Sequence, residues 1–191
     1  METIGIFGGS FNPVHIGHMM LASYLTQWGY VDQLWLTLSP RNPVKDPAQL
    51  LPDTKRLAML SIAARGAEQI DICDIELSMP RPSYTIDTLD VLRDRYPDKR
   101  FKVVIGSDNW RIFDKWRDGQ RILDEYGVIV YLRPGYPVDI QHVDGLEVVD
   151  APMIHVSSTF IRQAITKGMN MNYFLPAGVW KYINDNKLYR P

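Results

Sequence analysis

Two histidines set three residues apart stand near the start of the chain, in Gly8-Gly9-Ser10-Phe11-Asn12-Pro13-Val14-His15-Ile16-Gly17-His18. The stretch follows a short apolar run, Thr3–Phe7, and precedes a long one, Ile16–Trp28. Two glycines let backbone N–H groups come close to a ligand, and Ser10 and Phe11 share that turn. A helix beginning after such a turn offers unpaired N–H groups and the positive end of its dipole, a natural phosphate site. At a spacing of three, both imidazoles lie near one face of the helix start. Paired donors beside a phosphate suit a transition state in which negative charge grows on phosphoryl oxygens. Gly-Gly alone would mean only a tight turn; His-x-Gly-His directly after strand and turn points to chemistry. The spacing is neither that of a P-loop nor of G-x-G-x-x-G.

A second hydroxyl-rich element lies far along the chain, Ser157-Ser158-Thr159-Phe160-Ile161-Arg162. Capping a helix accounts for one hydroxyl. The run followed by Arg162 one turn in makes a further phosphate cradle of hydroxyls, N–H groups and a guanidinium fork. Gly106-Ser107-Asp108 closes another strand-like run, Phe101–Ile105. Asp108 there could accept from ribose hydroxyls or cap a short helix around Trp110–Phe113. Arg133, before Pro134-Gly135, and Lys45, in a proline-stiffened loop, are further cations able to meet phosphate.

These residues need elements to hold them at the ends of strands. Between Met1 and Pro40 the only charged side chains are Glu2 and Asp32, so this part should lie mostly inside. Strand Thr3–Phe7, helix Ile16–Trp28 and strand Gln33–Leu38 form a βαβ unit, which implies a parallel sheet and a right-handed crossover. The alternation continues. Arg41–Pro52 is a loop, Asp53 caps a helix from Thr54 to Arg65, and Ile70–Leu77 is strand-like. Ser83–Tyr96 is an amphipathic helix with Ile86, Leu89, Leu92 and Tyr96 inward. Then come a strand at Phe101–Ile105, a helix at Gln120–Glu125 and a strand at Gly127–Leu132. Leu146–Val149 and Met153–Val156 are extended. Ser157–Lys167 is a helix with Phe160, Ile161, Ala164 and Ile165 inward, and Pro176–Asn186 is the last helix. The fold class is α/β, a doubly wound (Rossmann-like) parallel sheet with helices on both faces, in which ligands sit beyond the carboxyl ends of the strands.

Composition bounds the function. With 191 residues the chain suits a single domain. Apolar residues at 46% and charged residues at 23% are ordinary for a globular protein and exclude disorder as the main state. A formal net charge of −1 argues against a global electrostatic hold on nucleic acid or an anionic membrane. One cysteine, Cys73, excludes a disulfide scaffold and a multi-cysteine metal site. The start has no basic n-region, and no run reaches the roughly 20 apolar residues of a membrane helix. The expected location is cytoplasmic. A homo-oligomer is left open.

Strand, glycine turn and His-x-Gly-His, paired with Ser-Ser-Thr-x-Ile-Arg, resemble the adenylyltransferase and cytidylyltransferase superfamily. His-Ile-Gly-His is also the spelling of class I aminoacyl-tRNA synthetases, but a synthetase needs a longer chain and a Lys-Met-Ser-Lys-Ser type loop, which this sequence lacks. Pro82-Ser83-Tyr84-Thr85, Gly106-x-Asp108 with Trp116, and Tyr182-Ile183 with Leu188-Tyr189-Arg190 narrow the resemblance to bacterial nicotinate-mononucleotide adenylyltransferases, over essentially the whole chain. The resemblance implies one nucleotidyltransferase domain over 1–191, its C-terminal helical part, about 157–191, completing the ATP site. It implies ATP and nicotinate mononucleotide as substrates, deamido-NAD and pyrophosphate as products, and Mg²⁺ bound through ATP phosphates with no metal ligands on the chain. His15, His18 and Arg162 would be catalytic. Gly8, Gly9, Ser10, Phe11, Gly106, Asp108, Ser157, Ser158, Thr159, Lys45 and Arg133 would join them in holding ATP. Trp116 would give a flat face to the pyridine. Tyr84, Thr85 and the backbone N–H groups from Arg117 would lie around the nicotinate carboxylate. Where the family commonly has Thr, Asp, His and Ile, this sequence has Ser10, Asn12, Val44 and Val156. Another adenylyltransferase, such as one acting on phosphopantetheine, and a nucleotide-binding module without turnover are the alternatives.

Overall fold

The computed structural model describes residues 1–40, 50–138 and 143–190. Six strands form one fully parallel sheet: β1 (Glu2–Gly9), β2 (Gln33–Leu38), β3 (Ile70–Cys73), β4 (Lys99–Gly106), β5 (Val128–Tyr131) and β6 (Leu146–Val149), in the order β3-β2-β1-β4-β5-β6. The chain winds outward from β1 in one direction to β3, then returns to β1's other side to lay down β4. The carboxyl ends of β1 and β4 therefore splay apart, and a crevice opens between them.

Helices cover both faces. They are α1 (Ile16–Gln27), α2 (Asp53–Ala63), α3 (Thr85–Arg95), α4 (Ser107–Trp110), α5 (Gly119–Glu125), α6 (Ser158–Thr166) and α7 (Val179–Asp185) among the described residues. Side chains alternate along each strand, so one face of β2 gives Leu34, Leu36 and Leu38 to the core beneath α1, α2, α6 and α7. The other face gives Trp35, with Ile4, Ile6, Phe101, Val103 and Ile105, to the core beneath α3 and α5. This is why the strands read as nearly continuous apolar runs. Among the described residues no helix is long and apolar enough to cross a membrane.

Four details differ from the sequence reading. Strand β3 ends at Cys73, its last partner on β2 being Thr37, and the chain turns at Asp74 into a 3₁₀ turn, Ile75–Ser78. Met153–Val156 joins no strand; the Val156 N–H folds back on the Ile154 carbonyl at 2.8 Å. Pro52, not Asp53, occupies the cap of α2, freeing the Asp53 carboxylate for Arg56 and Arg81 at 2.5 and 2.9 Å. Phe160 is exposed rather than inward, because the buried stripe of α6 is Ile161, Ala164 and Ile165; Phe160 lies about 100° off it and meets Phe174 edge-on.

Candidate active site

A cleft of about 630 Å³ opens over the carboxyl ends of the central strands. Its floor is the turn after β1, with Ser10, Asn12, His15 and His18. One wall is the segment from Pro152 into α6, and the far rim carries Tyr131 and Arg133. Residues 12 and 162 meet there because the sheet ends β1 and β6 on the same side and α6 packs back over the turn.

His15 caps α1, and its own backbone N–H donates to Nδ1 of His18 at 3.1 Å. That bond fixes the His18 tautomer: Nδ1 must keep its lone pair, so the proton of the neutral ring sits on Nε2. The two rings stack at 3.6 Å between centroids. Burial, reinforced by the Arg133 guanidinium, depresses the His15 pKa from 6.5 to about 4. His15 therefore stays neutral where it stacks on His18. Gly17 between them has a steric reason, since a Cβ there would meet the His15 ring and Val156, both at 3.1 Å. Phe11 packs edge-on against His18 at 5.0 Å, so its role is to wall the ring.

The hydroxyl run is built into the same floor. Ser157 accepts from the Phe160 N–H, and Thr159 accepts from Arg162, so each keeps its own proton for an outside acceptor. Ser158 instead donates to the Pro13 carbonyl at 2.8 Å. Arg162 donates to the Asn12 carbonyl at 2.9 Å, and the Tyr189 hydroxyl donates to Asn12 Oδ1 at 2.9 Å. The turn holding His15 and the helix holding Arg162 are thereby fastened to one another. Asn12 is a structural node here, where the sequence suggested only a turn residue.

Beyond β4, Gly106 has no room for a side chain: a Cβ would lie 2.4 Å from Asp108 Oδ1 and 2.7 Å from Arg133 Cδ. Asp108 lies inside α4 rather than capping it. It pairs with Arg133 at 2.7 Å through Oδ2, while its buried Oδ1 has no partner among the described residues. Gly8 is exposed and Gly9 half-buried at the end of β1.

Tyr84, Thr85, Trp116 and Arg117 do not line this cleft. They gather on the α3 side, where the Arg117 guanidinium lies 4.9 Å over the Tyr84 ring and bonds Asp87 at 3.2 Å. Trp116 is half-buried, tilted against Phe113 at 5.3 Å. Lys45 and Val44 lie outside the described residues.

Sequence reasoning passed over Arg56. Its guanidinium is fully buried and bonds the carbonyls of Leu51, Ser10, Ser39 and Pro40 and the carboxylate of Asp53, engaging all five of its N–H protons. An arginine among Leu57, Met59 and Leu60 was the available signal. His155 and Tyr131, also passed over, line the cleft.

A family model described as cytidylyltransferase-like matches residues 6–164. A Bacteroides fragilis protein named probable nicotinate-nucleotide adenylyltransferase is 45% identical over 180 residues, 94% of this chain and 90% of its own length. A Flavobacterium johnsoniae protein of the same name is 37% identical over 190 residues, 98% of each chain. Among solved structures, Plasmodium falciparum nicotinic acid mononucleotide adenylyltransferase complexed with NaAD superposes with a TM-score of 0.80 at 21% identity, over 99% of this chain and 98% of that one.

Proposed function

The chain belongs to the cytidylyltransferase-like family and, within it, to the nicotinate-nucleotide adenylyltransferases that it matches over nearly its whole length, and from that premise we propose how its site divides the work. The enzyme transfers AMP from ATP to nicotinate mononucleotide, giving deamido-NAD and pyrophosphate in NAD biosynthesis. The mononucleotide's phosphate oxygen attacks the α-phosphorus and the bond to pyrophosphate breaks. That phosphate is ionised at neutral pH, so no protein base or nucleophile is needed; catalysis is positioning plus charge stabilisation.

The observation that carries this reading is the meeting of the His15–His18 pair with Ser157–Arg162 across one cleft at the ends of β1 and β4. Nε2–H of His18 donates to the α-phosphoryl oxygens, with His15 beside it. Gly8, Gly9 and Ser10 bring the turn close to the phosphates. The hydroxyls of Ser157 and Thr159, the start of α6 and Arg162 hold the β/γ side, joined by Lys45. Asp108 Oδ1, an unpaired buried acceptor, receives a ribose hydroxyl. Arg133 flanks it and adds to the burial that keeps His15 from charging.

Mg²⁺ is expected with ATP, and charge neutralisation on the phosphates is what it supplies when bound. The cleft fits a metal carried by phosphates: its donors are imidazole, hydroxyl and guanidinium. Among the described residues no three His, Cys, Asp or Glu side chains cluster as a ligand set. A cytoplasmic location remains part of this reading, supported by the single buried thiol of Cys73.

The pyridine half of the substrate goes to the α3 side. Trp116 faces the ring, and Thr85 with backbone N–H groups at the start of α3 and at Arg117 receives the carboxylate. Asp87, an acid near Thr85, is engaged by Arg117. A nicotinamide NH₂ would then face donors, at a cost of about 1–3 kcal/mol. Product analysis with ATP, Mg²⁺ and a panel of mononucleotides tests the assignment. Nicotinate mononucleotide should exceed nicotinamide mononucleotide by at least about tenfold in kcat/KM. Equal rates would refute a donor-only pocket, and no dinucleotide product from either would refute the reaction.

A further inference from the structure

Glu76 is a carboxylate buried on the α3 side of the sheet, in the 3₁₀ turn after β3. Among the described residues no cation pairs with it. Oε2 accepts from the Ser83 hydroxyl at 3.1 Å and Oε1 from the Thr88 hydroxyl at 3.1 Å, and the Ser39 side chain lies near enough to favour the charged form. The three come from different places: Ser39 follows β2, Ser83 precedes Tyr84 and Thr85, and Thr88 stands in the first turn of α3. Ser39 is itself a junction. Its N–H donates to the Gly9 carbonyl at 3.0 Å, and its carbonyl accepts from Arg56, which also holds the Ser10 carbonyl. Hydrogen bonds thus tie the phosphate-binding turn to Ser39, and Glu76, beside Ser39, to both ends of the Ser83–Thr88 segment.

A buried acid without a counter-charge is costly, and burial pushes the Glu76 pKa up against the pull of its hydroxyl donors. Packing alone would be served as well by an apolar side chain. What an apolar side chain could not do is accept from the Ser83 and Thr88 hydroxyls at once.

We propose that Glu76 is a positioning residue for the substrate's pyridine side, setting Tyr84, Thr85 and the start of α3 at a fixed place relative to the phosphate-binding turn after β1. It touches no substrate. Removing its second acceptor oxygen loosens the Ser83–Thr88 segment while the ATP cleft, held separately by Arg56, Asn12 and Arg162, stays in place. The inference rests on the assignment of Tyr84, Thr85 and Trp116 to the pyridine half.

The test is steady-state kinetics of Glu76→Gln and, separately, Ser83→Ala, with Thr85→Ala and Trp116→Ala as markers of the pyridine half. Glu76→Gln is expected to raise KM for nicotinate mononucleotide about tenfold, with KM for ATP and kcat within about twofold; a merely structural role would not divide the constants this way. Ser83→Ala, which removes one donor from a half-buried side chain, is expected to raise the same KM about threefold. It keeps the inference testable should Glu76→Gln fail to fold. Unchanged KM for the mononucleotide in a folded Glu76→Gln, or in Ser83→Ala, overturns the proposal, as does an equal rise for ATP. If Thr85→Ala and Trp116→Ala raise KM and the Glu76 and Ser83 variants do not, this inference alone fails. If Thr85→Ala and Trp116→Ala leave KM unchanged, the pyridine half lies elsewhere, and the site reading fails with it.

Discussion

The protonation of His15 should govern part of this protein's acid stability. In the unfolded chain the imidazole takes up its proton near 6.5; in the folded protein burial and Arg133 delay that to about 4. Between those values the unfolded state binds more protons than the folded one, so stability rises with pH across this window and is lost as pH falls through it. From 6.5 to about 4, at about 1.36 kcal/mol per pH unit, the full effect is about 3 kcal/mol. Little needs discounting for solvent, because His15 is only 7% exposed. The perturbation is His15→Gln, which cannot titrate. Other groups, Glu76 among them, also change protonation on unfolding, but they are common to both proteins and cancel in the difference. Urea unfolding of parent and variant, at steps from pH 8 to pH 4, gives that difference directly. It should be constant above about pH 7.5, then move by about 3 kcal/mol against the parent by pH 4. A difference that stays level over the whole range refutes the claim that the fold holds His15 neutral. A related outcome follows in the complex. Phosphates beside the ring favour its charged form, so ATP binding at pH 5 should take up protons, read by calorimetry in buffers of different ionisation enthalpy.

His18→Ala should lower kcat by about 10²–10³, the scale for one preorganised donor at a developing charge, with a smaller change in KM for ATP; parent-like turnover would make His18 structural. Arg162→Lys should weaken ATP and pyrophosphate binding, since a point charge cannot hold the Asn12 carbonyl and grip phosphate as a planar fork does; kinetics in both directions decide, and unchanged constants would place Arg162 outside the site. Arg56→Met should destabilise the fold by about 3–5 kcal/mol in chemical unfolding, because it strands four carbonyls that one guanidinium now satisfies and leaves the Asp53 carboxylate to Arg81 alone; a loss under about 1 kcal/mol would mean that water replaces those bonds.

Much of the protein was determined by local sequence. Apolar runs bounded by glycine, alternating with helical periods, dictate a parallel sheet covered on both faces, because strands buried on two sides must be apolar throughout. Gly8-Gly9, His15 and His18 define their turn and helix start among themselves, so that half of the candidate site was legible as local structure from spacing alone. Ser157–Arg162 was legible as a helix start with a cation one turn in. Its distance from the first motif was not. Whether Arg162 reaches Asn12 depends on where β6 ends and how α6 packs, and neither is written in the six residues themselves. The end of β3 at Cys73 was hidden for the same reason: the apolar run continues to Leu77, and only the last partner on β2 decides where pairing stops. Buried polar junctions were hidden most completely. Glu76 looks in sequence like a surface charge, because nothing local distinguishes an acid that will meet buried hydroxyls from one that will meet water, and Arg56 differs only in standing among Leu57, Met59 and Leu60. Their partners come from segments brought together only when the sheet is wound. Pair by pair, short-range chemistry fixed which groups the site contains. Long-range packing fixed which groups face one another, and with that the neutrality of His15 and the link between the two halves of the site.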